Sequence, residues 1–571
     1  MVNIHYTYDG GLIPKNITHL TFDNHFNDIC NNIPHSVISV MFGDDFNQPV
    51  DQLPPNITQL IFGDCFNQPI DKLPPNITYL VLGQDFNQCV DQLPPNITHL
   101  VLGENFNQCV DQLPPNITHL TFGSHFNRTC DYLPPNITHL TFGFYFNQIC
   151  NYLPSTITHL TFGYHFNQDV GQLPLNITHL TFGHHFNQDV DQLPSTITHL
   201  TFGYEFNQDV SHLPSTVTHL KFGTCFNQPV DQLPPHLKYL KFASSVSNFN
   251  QPVDHLPTSI THLVLGFAYN QKTDNLPPNI THLTFGSHFN QPVEHLPTKI
   301  THLTFGWYYN TAITALPSSI TDLTFGFGFN NTLNNLPPHI RNLTFGYHFN
   351  QVITHFPPNI KKIIFGHRYD QYTILPQSAT RIVFGNMYNQ ITYLPPHCKY
   401  VKFGDCFNQP VEHFPSTIAH LEFGYHFNQQ ISELPSSLTS ISFGRHFNQL
   451  IDYFPQHVSK IVFGNMYNQI THLPTYLSQV VFGKHYNQPT HWPPYLKSIC
   501  LGEDYKQPDD ILPHIGTINV DGDGDIYVER LCLNYNLISS NCRNRDVVCR
   551  VGNNKYNLTM KSLLLLDMVV E

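Results

Sequence analysis

Apolar and polar positions along the chain follow one short pattern that returns every twenty residues. Residues 94–113 read PPNITHLVLGENFNQCVDQL, and residues 114–133 read PPNITHLTFGSHFNRTCDYL. Within a copy Ile97, Leu100 and Leu102 are apolar, while His99 and Val101 fall between them; Thr is the commonest residue where Val101 stands. Alternation over so few residues, in Thr, Val, Ile and Phe, predicts a short strand with one face turned inward. Gly103 ends that strand and Phe106 adds a large apolar group. Leu93, Pro94 and Pro95 favour an extended return, because proline fixes φ and has no N–H to donate. The copy has no helical spacing of apolar residues, so little helix is expected.

The glycine marks the phase. It recurs every twenty residues from Gly43 to Gly223, with Asp23 and Ala243 holding the same place at either end. An insertion around Ser244–Asn248 shifts the phase by three, and the array resumes from Gly266 to Gly366. From Gly385 to Gly502 the period is nineteen or twenty, and there are 25 copies in all. The shorter copies lose one residue before the Leu-Pro step, as in YNQITYLP at 388–395 beside FNQPVEHFP at 407–415. A unit this small cannot bury its own apolar residues, so copies must stack, each Ile, Leu and Phe upon its equivalent. The expected layout is a short lead over 1–11, a repeat array over 12–505 and a non-repeat region over 506–571. In that last region NVDGDGDIYV at 519–528 predicts a hairpin about a Gly/Asp turn. Asp521, Asp523 and Asp525 fail as a calcium loop, since Ile526 and Cys532 stand where Gly and Glu are needed. The apolar KSLLLLDMVV at 561–570 is too short to span a bilayer and suits covering the last coil.

With Leu-Pro followed by Ile-x-x-Leu-x-Phe-Gly-x-x-Phe-Asn-Gln, the chain resembles the FNIP repeat family from Leu12 to about Tyr505. Such repeats occur in social amoebae and giant viruses and are regarded as relatives of leucine-rich repeats. The resemblance implies a mostly β, leucine-rich-repeat-like solenoid of about 25 coils of 19–20 residues, with short parallel strands and a small C-terminal cap. One departure stands out: the fixed Asn107 lies two residues beyond the place that the usual leucine-rich spacing gives its asparagine. Some relatives carry an amino-terminal F-box for substrate capture in ubiquitination; a repeat beginning by Leu12 leaves no room for that module.

The repeat also sorts the candidate functional residues into columns. Asn47, Asn67, Asn87, Asn107, Asn127 and Asn147 follow the Phe in successive copies, and we expect an inward amide ladder that satisfies turn backbone groups. With the apolar residues inward, the strand's other positions project outward onto what would be the concave face. They are His99, His119, His139, His159, His179 and His199, with Thr121, Thr141, Thr161 and Thr181. Beyond the glycine the residues vary and are rich in rings, among them Tyr145, Tyr164, His165 and Tyr204. A constant column beside a variable aromatic one suits a partner-binding surface. A regular flat row of imidazoles does not converge four ligands, so no metal is expected there. Asp51, Asp71, Asp91, Asp111 and Asp131 are read as solvated turn residues. The sequons at Asn56, Asn76, Asn96, Asn116 and Asn136 copy one repeat and count as one coincidence. Cys89 with Cys109, and Cys130 with Cys150, fall in neighbouring coils and are expected as free buried thiols.

Composition narrows the function. Only 12% of the 571 residues are charged and the formal net charge is −14, which opposes a general nucleic-acid binder. Thirteen scattered Cys point to a reducing compartment, the start MVNIHYTYDG lacks a secretory pattern, and no apolar run approaches a membrane span. No acid pair, nucleophile elbow, phosphate loop or metal signature interrupts the repeats, so neither catalysis nor a cofactor is expected. The reading is a cytoplasmic, non-enzymatic scaffold for protein partners, with no nucleic acid or membrane among them. The alternatives are a building block of a viral or cellular assembly, or a substrate-recognition subunit of a ubiquitin-ligase-type complex without its own F-box.

Overall fold

The computed structural model describes residues 4–8, 10–244, 246–333, 335–411 and 413–507, together with the backbone of strands at 517–520, 546–551 and 554–559. Each repeat contributes one strand, from His19–Thr21 to Ser498–Leu501, and the described residues contain no helix. The chain falls into two compact units, residues 1–291 with 295–300, and residues 292–294 with 301–571. In the first, strands from His5–Thr7 to His282–Thr284 pair in parallel, each with the next. Their register sets equivalent residues side by side, His99 against His119 and Leu100 against Leu120. In the second, the same ladder runs from His302–Thr304 to Ser498–Leu501. The expected solenoid of short parallel strands is therefore the fold.

The ends differ from expectation in detail. Residues His5–Thr7 of the lead form a strand of their own, which pairs with His19–Thr21 and so covers the first coil. Thr517–Val520 pairs in parallel with the strand Ser498–Leu501; the rest of the hairpin expected at 519–528 lies outside the described residues. The antiparallel hairpin lies further on, Asp546–Val551 against Asn554–Thr559. Residues 521–528 and the apolar stretch at 561–570 fall outside the described residues.

Each coil buries the residues its alternation predicts. Ile97, Leu100, Leu102, Phe106 and Val110 are all at most 2% exposed. Phenylalanine rings stack from coil to coil, Phe106 on Phe126 at 6.1 Å and Phe126 on Phe146 at 6.1 Å. Burying a ring of this size is worth roughly 2–3 kcal/mol relative to leaving it in water, and the array repeats that gain in every coil.

The column glycine answers a close approach. A Cβ on Gly163 would sit 1.7 Å from the carbonyl oxygen of Gly143 in the preceding coil, far inside any tolerated contact. The exception at Ala243 is instructive. Directly after it come Ser244 and its neighbours, and the glycine of the next coil, Gly266, meets the Ser247 side chain where other coils offer a glycine carbonyl. Ser247 is 1% exposed while Val246 is 55% exposed. The insertion and the missing glycine thus fall in the same turn, where the extra chain puts the Ser247 side chain in place of a glycine carbonyl.

A second pairing runs along the coil. Where the core ring is Phe, the residue four positions on is apolar, as in Phe106 with Val110 and Phe407 with Val411. Where it is Tyr, that residue is Thr in five copies, as in Tyr269 with Thr273, Tyr388 with Thr392 and Tyr486 with Thr490; Tyr309, with Ile313, and Tyr505, with Asp509, are the exceptions. Tyr388 Oη and Thr392 Oγ1 are 2.5 Å apart, and Tyr486 pairs with Thr490 in the same way. These phenols are fully buried, and burial pushes Tyr388 up to about 12 despite the Thr392 bond. Tyr369 with Thr373 and Tyr467 with Thr471 make no such bond, and Tyr269 donates to Lys272 O instead. A buried hydroxyl without a partner is costly, so the matching answers that cost at Tyr388 and Tyr486.

Candidate functional site

The strand residues His119, His139, His159, His179 and His199 stack at ring-centroid separations of 4.2–4.3 Å, with interplanar angles of 9–12° out to His219. His99 joins the row at 4.2 Å from His119. All are half-buried, as are Thr121, Thr141, Thr161 and Thr181 at the strands' third positions. Thr158 Oγ1 lies 3.2 Å from the carbonyl oxygen of Thr138 and 2.9 Å from His159 Nδ1, so it links the backbone of one coil to the ring of the next. The same geometry holds for Thr118 with His119 and for Thr178 with His179. Burial, and then the neighbouring imidazoles, lower the proton affinity of His119, His139, His159 and His179.

The turn columns form a second stack. Phe144, Tyr164, His184 and Tyr204 lie face to face at 4.4, 4.2 and 4.4 Å. Beside them Tyr145 stacks on His165 at 5.2 Å and His165 on His185 at 5.0 Å. Phe144, Tyr145 and Tyr204 are 40–45% exposed, whereas Tyr164 and His165 are half-buried. Glu205 completes this second column, with its carboxylate against the two histidines. His184, His185 and Glu205 converge across two columns, and their signal in the sequence is a pair of adjacent histidines with an acid twenty residues after the second.

The asparagines do form a ladder, at a shallower depth than expected. Asn107 N–H donates to Asn87 Oδ1 at 2.9 Å, and Gln108 Nε2 donates to the same oxygen at 3.1 Å. Asn67 stands likewise on Asn47, Asn87 on Asn67, Asn127 on Asn107, and Asn147 on Asn127. Asn127 is exposed and the others are half-buried, because the adjacent Phe takes the inward direction. A third ladder uses the sequon asparagines: Asn96 Nδ2 donates to Pro75 O and Asn116 Nδ2 to Pro95 O, both at 2.9 Å. With the threonines Thr58 to Thr138 they line an open groove of about 820 Å³. Its amides and hydroxyls are already bonded to the preceding coil, which makes the groove part of the scaffold. The thiols differ from expectation in one pair. Cys130 and Cys150 are buried, and burial pushes Cys150 up to about 12, but Cys89 and Cys109 are exposed because their side chains follow the outward Gln. Asp51, Asp71, Asp91, Asp111 and Asp131 are exposed in turns.

The FNIP repeat matches the chain in overlapping segments that run from 8 to 245, from 249 to 368 and from 427 to 466. The chain belongs to the FNIP repeat family. Among solved structures, this FNIP-repeat protein is similar to CroV588, a giant-virus protein described as a novel circular leucine-rich-repeat structure. The two are 35% identical with a TM-score of 0.70, over 89% of this chain and 92% of that one. It also aligns with YopM from Yersinia enterocolitica at 16% identity and a TM-score of 0.40, over 85% and 91% of the two chains. No curated protein matches the chain. No helix among the described residues is long and apolar enough to cross a membrane.

Proposed function

We propose that this FNIP-repeat protein is a non-enzymatic scaffold that binds protein partners through the outward strand positions and the ring-rich turn columns. The reading is supported above all by the contrast between columns. Core, glycine and asparagine positions are nearly constant, while the turn positions change from Phe144 and Tyr145 to Tyr164 and His165, then to Tyr204 and Glu205. Variation concentrated in large half-exposed rings, on a scaffold that holds each ring in place, is what recognition of a protein surface requires. The imidazole row adds hydrogen-bonding groups at fixed spacing. Such a surface binds without any bond being made or broken.

The test compares the parent chain with two variants as bait in host lysate. One carries Tyr145→Ser, Tyr164→Ser and Tyr204→Ser; the other carries His139→Glu, His159→Glu, His179→Glu and His199→Glu. We expect a protein that co-purifies stoichiometrically with the parent and is lost from at least one variant of unchanged melting temperature. Equal recovery by all three would overturn the reading, as would ordered self-association without any other protein. The latter outcome would favour a building block of an assembly.

A further inference from the structure

His184 and His185 occupy the two turn positions after Gly183, and Glu205 takes the second of those positions one coil later. Backbone bonds fix this offset: His185 N–H donates to Tyr164 O at 2.9 Å, and Glu205 N–H donates to His184 O at 2.8 Å. Glu205 Oε1 then lies 2.8 Å from His185 Nδ1 and 3.9 Å from His184 Nδ1. One ligand atom from each of the three residues falls within 4.8 Å of the others, the one such trio among the described residues. In a tetrahedral zinc site with bonds near 2.0–2.1 Å, ligand atoms stand about 3.3 Å apart. The two measured separations bracket that value.

A second observation points the same way. His184 Nδ1 is shut off from solvent and has no hydrogen-bond partner. Buried ring nitrogens are ordinarily satisfied. Glu205 Oε1 faces this nitrogen at 3.9 Å, too distant for a hydrogen bond and well placed to share a cation. The rings are also held in position. His184 is clamped between Tyr164 at 4.2 Å and Tyr204 at 4.4 Å, while His185 meets Tyr164 edge-on at 4.8 Å and 90°. Ligands preset by packing lose little freedom when they coordinate.

We propose that His184, His185 and Glu205 bind a divalent transition-metal cation of the zinc class, which ties two successive coils together at their turns. Two imidazoles and one carboxylate select zinc over calcium or magnesium, which prefer all-oxygen shells. Three protein ligands leave a fourth position for water or for a side chain of a partner. The flat imidazole row elsewhere offers no such convergence. The site does not depend on protein partners, and it stands or falls separately from the scaffold reading.

The experiment titrates the metal-free full chain with Zn²⁺ by calorimetry at neutral pH, and with Co²⁺ by visible absorption. The parent, Glu205→Gln, His184→Ala and a row variant with His139→Gln, His159→Gln, His179→Gln and His199→Gln are compared. We expect one saturable site in the parent, with cobalt bands that report nitrogen and oxygen ligands. Its affinity should fall at least about tenfold in Glu205→Gln and His184→Ala and persist in the row variant. Bound Zn²⁺ should raise the melting temperature of the parent and of the row variant only. Equal binding by Glu205→Gln, loss confined to the row variant, or no saturable binding would each overturn the proposal. The three residues are half-exposed, so the metal-free variants should melt like the parent; were one to misfold, His185→Ala carries the same expectation.

Discussion

The two units share a core and differ in what their strands turn outward. Phe146 in the first and Phe427 in the second are equally buried, and Asn147 and Asn428 both stand on the asparagine of the coil before. At the first strand position, however, the first unit repeats His from His99 to His219, while the second changes from Asp322 to Lys362, Arg381, Tyr400 and His420. Around Tyr400 the second unit builds a charged cluster. The Arg381 guanidinium lies 3.7 Å from the Tyr400 ring centroid, Tyr400 Oη donates to Glu422 Oε1 at 2.6 Å, and Lys402 Nζ sits 3.1 Å from Glu422 Oε2. One scaffold therefore carries two electrostatic surfaces. Outward strand residues are free to diverge because neither the core rings nor the asparagine ladder reads them.

If the scaffold is common to both units, the largest effects should be the same in each. Gly163→Ala and Gly424→Ala both drive a Cβ into the preceding coil's carbonyl, and each should cost about 4 kcal/mol or more in urea unfolding followed by circular dichroism. Unequal costs would show that one unit has slack at this contact. The tyrosine pairing sharpens the contrast. Thr392→Val strands the Tyr388 phenol and should cost about 1–3 kcal/mol, and adding Tyr388→Phe should recover most of it. In the first unit, Val170→Thr places a hydroxyl beside Phe166 and should lose a similar amount, with Phe166→Tyr as the compensating change. Failure of either compensation would sever the pairing from its physical cause. Asn147→Ala removes the acceptor of Asn167 N–H and Gln168 Nε2, worth about 1 kcal/mol at this half-buried depth.

The smallest effects separate the units by pH. The row histidines have lowered proton affinity when folded, so their contribution is complete above the unfolded value of 6.5 and is lost as pH falls below it. For Glu422, burial acts to raise the proton affinity, but the bonds from Tyr400 and Lys402 outweigh it and hold the carboxyl below its ordinary 4.5. Its contribution is complete above 4.5 and is lost only in stronger acid. Melting temperature should therefore begin to decline below about pH 6.5, and the row variant with four His→Gln changes should flatten that early decline. Glu422→Gln should leave it intact and alter only the more acidic limb. A parent curve that stays flat between pH 7.5 and 5.5 would show that the stacked imidazoles contribute nothing on folding.

The strands, their register and the inward residues could be read from the twenty-residue period, because every coil is forced to bury Ile97, Leu100, Leu102 and Phe106 in the same way. The depth of Asn107 could not, since alternation does not say how far a residue beside a buried ring is drawn in. Nor could the exposure of Cys89 and Cys109, where an apolar side chain follows an outward glutamine. The trio of His184, His185 and Glu205 escaped because a column-by-column reading treats neighbours in adjacent columns as separate. The tyrosine–threonine matching was present in the letters, and only the depth of the phenols shows why it matters.

That matching also bears on how such an array can grow. Tyr388 and Tyr486 each find their hydroxyl four residues along the same coil, so a copy of that kind, moved or duplicated, brings its own solution with it. The glycine contact works the other way, since it is satisfied only by whatever segment precedes it. A recombination cassette cut from this gene must consequently begin and end at the same phase, while remaining indifferent to whether its neighbours carry Phe or Tyr. Lengthening by whole turns is then neutral to the interior, and novelty accumulates on the rim.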